Sequence, residues 1–223
     1  MNVAIREQAV RIAPEGLSGD LVVPERASGV VLFAHGSGSS RHSPRNRYVA
    51  GVLQQSGFAT LLLDLLTAAE EEVDALHGHL RFDIGFLAER LLDATDWLQR
   101  EPATRELPLG YFGASTGAGA ALVAAAERPS LIKAVVSRGG RPDLAGPALA
   151  HVQAPSLLIV GGNDHPVIRL NERAMAAMRC KKRLAIVPGA THLFEEPETL
   201  EQVAELASDW FEAHFATGEQ HGR

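Results

Sequence analysis

After Gly29 the chain alternates between short, wholly apolar runs and longer stretches in which apolar residues return every three or four positions. The runs are Val30–Ala34, Ala59–Leu63, Leu109–Phe112, Ile132–Val136, Leu157–Val160 and Leu184–Val187. A strand that is apolar on both sides is buried on both faces, the signature of a parallel sheet covered by helices. The intervening stretches predict helices near Asn46–Gln55, Asp83–Arg100, Thr116–Glu127, Val167–Met178 and Pro197–Ala213. In the second of these, Phe86, Leu87, Leu91, Ala94 and Leu98 form a stripe at helical spacing that can pack on the sheet. Before Gly29, Val3 to Val23 predicts two strands joined by a turn near Pro14-Glu15-Gly16. The acidic stretch Ala68–Asp74 reads as a solvated loop, and the polar tail Thr217–Arg223 as a frayed end. The interval Ser137–Pro155 has room for a loop and one short helix near Asp143–Leu149, too little for a lid domain. The expected architecture is α/β: one domain over residues 1–223, a mostly parallel central sheet with helices on both faces, and no large lid.

The densest chemical signal is Gly113-Ala114-Ser115-Thr116-Gly117, a Gly-x-Ser-x-Gly pattern between a predicted strand and a predicted helix. A serine on such a turn is pushed above the sheet, and flanking glycines avoid clashes with the neighbouring strand and helix. The helix N-terminus aims backbone N–H groups at the place where an oxyanion would form. A serine alcohol needs a base to take its proton, and the base needs an anion to orient it. Both follow in the order such a turn requires. Asp164 lies in Gly161-Gly162-Asn163-Asp164, just after the run ending at Val160, and His192 lies in Gly189-Ala190-Thr191-His192, just after the run ending at Val187. The oxyanion hole needs two backbone donors. The amide of Thr116 is one, and the amide of Ser37 in His35-Gly36-Ser37-Gly38 is the other, with Gly36 beside it.

These four segments, in this order and over nearly the whole chain, resemble the α/β-hydrolase superfamily, and within it the small, lidless dienelactone hydrolase group. The resemblance implies a triad of Ser115, Asp164 and His192 and hydrolysis of esters or lactones. Dienelactone hydrolases proper carry cysteine as nucleophile. Serine at position 115 therefore points to a serine carboxylesterase or related acyl hydrolase. The same triad would serve thioester or amide hydrolysis or perhydrolysis, and the fold also admits a non-catalytic ligand-binding member. The group's substrate bears a carboxylate, which directs attention to Arg41, Arg45, Arg47, Arg81, Arg138 and Arg141. Arg138, on the strand beside the nucleophile strand, is the one chosen to face a ligand, although such arginines commonly pair with nearby carboxylates instead.

Composition narrows the partners. The 223 residues carry a formal charge of −6, with 46% hydrophobic and 22% charged residues. That balance is ordinary for a globular protein and leaves no basic footprint for nucleic acid. The single cysteine, Cys180, has no partner for an internal disulfide, and a cysteine at a helix end is expected to be unreactive. No cofactor is called for. Gly36-x-Gly38 lacks the third glycine of a dinucleotide fingerprint, with Arg41 in its place, and no phosphate-loop Gly-Lys-Ser or Gly-Lys-Thr is present. No metal is expected either, since His77-Gly78-His79 lacks a third ligand and reads as a surface loop. His42 and His165 lie near the predicted site along the chain without displacing His192 as the base. No apolar run has the length of a signal-peptide core or a membrane span, so a soluble cytoplasmic protein is expected. Its expected partner is a small-molecule acyl substrate, with no membrane and no nucleic acid, and the chain admits a homodimer.

Overall fold

A computed structural model describes residues 5–216. Eight strands form one sheet: β1 Ile5–Ile12, β2 Leu17–Pro24, β3 Val30–Ala34, β4 Ala59–Leu63, β5 Leu109–Ala114, β6 Ile132–Arg138, β7 Ser156–Gly161 and β8 Lys182–Val187. Their spatial order is β1-β2-β4-β3-β5-β6-β7-β8. The β1–β2 and β2–β4 pairs are antiparallel, and every pair from β4–β3 to β7–β8 is parallel. All six apolar runs are strands, and β3 and β4 have the predicted limits. Of the two early strands predicted over Val3–Val23, Val3 lies outside the described residues, as does the tail from Thr217.

Helices cover both faces. They are α1 Pro44–Gln55, α2 Ala68–His77, α3 Ile84–Leu98, α4 Thr116–Glu127, α5 His165–Ala177 and α6 Thr199–Phe215. One core joins Leu32, Leu61 and Tyr111 to Leu87, Leu91 and Leu98 of α3 and to the alanines of α4. The other joins Phe33, Phe112 and Val136 to Val49 and Leu53 of α1 and to Val203, Ala207 and Phe211 of α6. Alternate residues of one strand thus serve opposite cores, which is why the strands read as unbroken apolar runs. Between β6 and β7, the short 3-10 segment Pro142–His151 packs against α4 and α5 and adds no domain above the sheet.

The acidic stretch expected to be a loop is a helix. Thr67 and Glu70 close a capping box at the start of α2, and Gly78 ends it in the left-handed conformation. Among the residues of α2 only Asp74 is buried, where it pairs with Arg81, while Glu70 pairs with Arg90 of α3. Ion pairs and caps hold this helix where most helices use an apolar stripe, so hydrophobic periodicity gave no warning of it.

The sheet order reverses at β3, whose neighbours are β4 and β5, and the loops leaving β3 and β5 part there. In open α/β sheets such a switch point is where ligands bind. Two features hold the loop after β3, one against the start of α4 and the other against the segment after β4. An ideal Cβ on Gly117 would lie 2.4 Å from the carbonyl oxygens of Ala34 and His35, so only glycine lets α4 start this close to the end of β3. The buried His35 ring accepts from the Leu65 amide at Nε2 (3.1 Å), which leaves its proton on Nδ1, donated to the Gly36 carbonyl at 2.9 Å. Burial holds its pKa below the usual 6.5, against smaller raising effects of the Gly36 bond and Asp64.

Two outcomes follow from these contacts. Gly117→Ala should cost about 1–3 kcal/mol through overpacking, read as a fall in the thermal unfolding midpoint by circular dichroism. His35 favours its neutral form in the folded state, so its contribution is fully present above pH 6.5. It is lost as pH falls through 6.5 and towards the lower folded value, because the unfolded chain takes up the proton first. Urea unfolding at pH 7.5 and 5.5 should show a smaller acid-side loss of stability in His35→Gln than in the native chain.

Candidate active site

Ser115 occupies the turn between β5 and α4 with φ 49° and ψ −122°. For a residue other than glycine this conformation costs on the order of 1–3 kcal/mol and persists only where its surroundings impose it. They do so here through three backbone bonds: the Ser115 amide donates to Arg138, and the Ser115 carbonyl accepts from Ala118 and Arg141. The flanking glycines have the expected role. A Cβ on Gly113 would lie 2.5 Å from the Ala118 Cα, and Gly117 is the contact already described. Strand and helix therefore meet at closest approach with the serine at the apex.

The loops after β7 and β8 interlock. The Gly162 amide donates to Val187, the Asn163 amide to Ala190, and the Asn163 side chain to Gly189. A Cβ on Gly161 would press to 2.4 Å from the Ala190 carbonyl oxygen. This lock brings Asp164 Oδ2 to 2.6 Å from His192 Nδ1. The Asp164 side chain is 12% exposed and that of His192 40%, so the carboxylate lies inside and the imidazole faces outward. The His192 backbone and ring border Gly139, whose Cβ position is 3.1 Å from the His192 carbonyl oxygen and 3.6 Å from Cε1. Gly139 follows Arg138, the residue that holds the Ser115 amide. The three expected residues thus follow the carboxyl ends of β5, β7 and β8, and of these Asp164 and His192 are bonded to each other. Among the described residues the Ser115 hydroxyl makes no hydrogen bond, and the aspartate–histidine pair is the preformed part of the arrangement. Catalytic hydrogen bonds commonly tighten only when substrate is bound.

On the other side of Ser115 lies the loop after β3. A Cβ on Gly36 would stand 3.0 Å from that of Ser115, so the loop passes directly over the Ser115 turn. The Thr116 amide opens α4 and is one of the donors a helix leaves without an intrahelical partner. The Ser37 amide, expected to be the second oxyanion donor, donates to Thr116 Oγ1 at 2.9 Å. A cavity of about 510 Å³ opens beside Gly36, Ser37 and Thr116 and runs to Leu65, Leu87 and Glu71. Burial, followed by the nearby Asp64, pushes the Glu71 carboxyl up. Neither α2 nor its Glu71 was foreseen at this site, because an acidic run carries no mark of which carboxylates will line a cavity.

Most of the clustered arginines find carboxylates. Arg41 pairs with Asp64, Arg45 with Glu195, Arg81 with Asp74 and Arg141 with Asp143. Arg138 differs. It is 7% exposed, its Nη2 donates to Asn46 Oδ1 at 3.2 Å, and its Nε has no partner among the described residues. Burial, with the charge of Arg45, pulls its pKa down to about 10. The guanidinium expected to face a ligand lies under α1, because the alternation along β6 sends it to the same side as Ala134 and Val136. His42 lines the cavity, and His165 begins α5. Burial pushes the Cys180 thiol up, away from reactivity. Among the described residues no three His, Cys, Asp or Glu side chains gather as a metal ion would need, and no helix is long and apolar enough to cross a membrane.

Known proteins share this framework. The profile of the dienelactone hydrolase family matches residues 17–220. The crystal structure of dienelactone hydrolase from Anabaena variabilis ATCC 29413 is 62% identical, with a TM-score of 0.92, covering 96% of this chain and 99% of that one. Est1E from Butyrivibrio proteoclasticus shares the fold at 16% identity and a TM-score of 0.75, covering 93% of this chain and 99% of its own. A curated relative from Mycobacterium tuberculosis, provisionally named a phosphoribosyl transferase, is 61% identical over 213 residues, which is 95% of this chain and 47% of the relative. The chain thus spans about half the length of these curated relatives. Sheet order, the matched span and the close superposition on the Anabaena protein agree: this chain belongs to the dienelactone hydrolase family, a family of hydrolases.

Proposed function

We propose that this chain is a serine hydrolase that cleaves small carboxylic esters or lactones through an acyl-enzyme on Ser115. The observation that carries this reading is the strained Ser115 turn beside an aspartate–histidine pair joined at 2.6 Å. His192 takes the Ser115 proton as the oxygen attacks the substrate carbonyl. Asp164 accepts from Nδ1, fixes Nε2 as the basic nitrogen and stabilises the imidazolium. The tetrahedral oxygen sits between the Thr116 amide and the loop at Gly36 and Ser37, His192 protonates the leaving alcohol, and water repeats the sequence to free the acid. The cavity of about 510 Å³ suits a small acyl or alcohol group, within the range of small-molecule pockets. The phosphoribosyl transfer in the name of the curated relatives belongs, on this reading, to the half of them that this chain does not span.

Arg138, buried under α1, does not touch the substrate and favours substrates that carry a negative charge only through its field. Its guanidinium has no carboxylate within ion-pairing distance among the described residues, so its field is not cancelled at close range.

Ser115→Ala should lower turnover of p-nitrophenyl acetate by about 10⁴-fold or more and abolish labelling by a fluorophosphonate probe, with the fold retained. Substantial turnover by that folded variant would remove Ser115 as nucleophile. Asp164→Asn should cost about 10⁴ in kcat by allowing the wrong histidine tautomer, measured with the same ester. Half-esters of dicarboxylic acids should outpace matched neutral esters, with an advantage that shrinks as salt rises. Equal rates at every ionic strength would remove the role given to Arg138.

A further inference from the structure

The Ser37 amide does not point into open space. It is bonded to the side chain of the residue that follows the nucleophile, Thr116 Oγ1, at 2.9 Å. A hydroxyl that accepts still has one proton to give. Among the described residues no protein acceptor takes it, although Thr116 is only 5% exposed. The residue lines the cavity that opens at Gly36 and Ser37. A buried hydroxyl with its proton unspent, beside a cavity and next to a nucleophile, is a donor waiting for a ligand oxygen. Its position is fixed from behind by Ser37, and its β-branched side chain has few rotamers to choose from.

We propose that the Thr116 hydroxyl is a side-chain donor to the tetrahedral oxygen, with the Ser37 amide acting through it instead of on the substrate directly. The inference rests on the serine hydrolase reading and specifies how that site stabilises charge. When Ser115 Oγ bonds to the carbonyl carbon, the π pair moves onto the carbonyl oxygen and the serine proton passes to His192. Thr116 transfers no proton. Its amide and its hydroxyl both point at the new anion, and the Ser37 N–H polarises the hydroxyl in a two-bond chain. One residue thus supplies a donor that mutation cannot remove and a donor that it can.

The test compares the native chain with Thr116→Val, which keeps the shape and removes the hydroxyl, and Thr116→Ser, which restores it. The assay uses p-nitrophenyl acetate and its thionoester, whose sulfur is a poor acceptor. Thr116→Val should lose about 10²–10³ in kcat with little change in KM, as for loss of one oxyanion donor. Its preference for the oxygen ester over the thionoester should fall in parallel, and its affinity for phenylboronic acid should drop. Thr116→Ser should recover most of the rate and the preference. A merely structural role would lower both esters equally and leave their ratio at the native value, and that result would overturn the proposal. So would native or higher kcat in Thr116→Val, which would mean that the freed Ser37 amide serves the oxyanion directly. Circular dichroism and fluorophosphonate labelling of each variant separate misfolding from lost catalysis, and a misfolded Thr116→Val leaves Thr116→Ala to be read against the same ratio. If the native chain neither turns over esters nor takes the probe, the serine hydrolase reading falls first and this inference with it.

Discussion

The backbone contact at Gly117 is the constraint from which the site follows. Helix α4 begins so close to the end of β3 that the carbonyl oxygens of Ala34 and His35 occupy the space a side chain would need. That closeness forces the chain at Ser115 into its strained turn, because β5 must hand over to α4 within a single residue. It also sets the loop after His35 over the same turn, so Ser115, Gly36 and Thr116 share one small volume. Gly113 and Gly36 repeat the arrangement on either side. The strain of about 1–3 kcal/mol at Ser115 is small beside the burial that imposes it. The cores on the two faces of the sheet place nearly every residue of β3, β5 and β6 out of water.

The polar part of the site is assembled by loops that hold one another. The turn after β7 and the turn after β8 exchange backbone and side-chain hydrogen bonds, and the Asp164–His192 pair is a consequence of that lock. Thr116 and Ser37 form a second such link between α4 and the loop after β3. In both cases the groups that would handle charge are oriented before any substrate arrives. Preorganisation of this kind is the largest single contribution in many enzymes, since no reorganisation is needed as charge develops.

The far wall of the cavity is built differently. Helix α2 is tied by caps and by ion pairs to Arg81 and Arg90, with Asp74 its single buried residue. Such a wall can change charge and shape without disturbing the cores, whereas the wall at Gly36 and Thr116 cannot move without disturbing the turn itself. The rigid side therefore suits the chemistry, and the ion-paired side suits the choice of substrate.

The strands, the five helices with apolar faces and the order Ser115, Asp164, His192 are legible in the amino-acid sequence, because burial on both faces and glycine at tight turns leave local marks. The helix α2 is not legible in that way, since its partners lie in other segments and its own residues are mostly acidic. Arginine at position 138 promises carboxylate recognition by its chemistry, yet the alternation along β6 turns it under α1, a matter of register and of what packs above it. Ser37 and Thr116 stand 79 residues apart, and no local pattern says that the amide of one will meet the hydroxyl of the other. Sequence alone determined which groups could carry acyl-transfer chemistry. Only the tertiary structure decided which of them meet, because a hydrogen bond depends on distances of a few tenths of an ångström that packing, and not composition, sets.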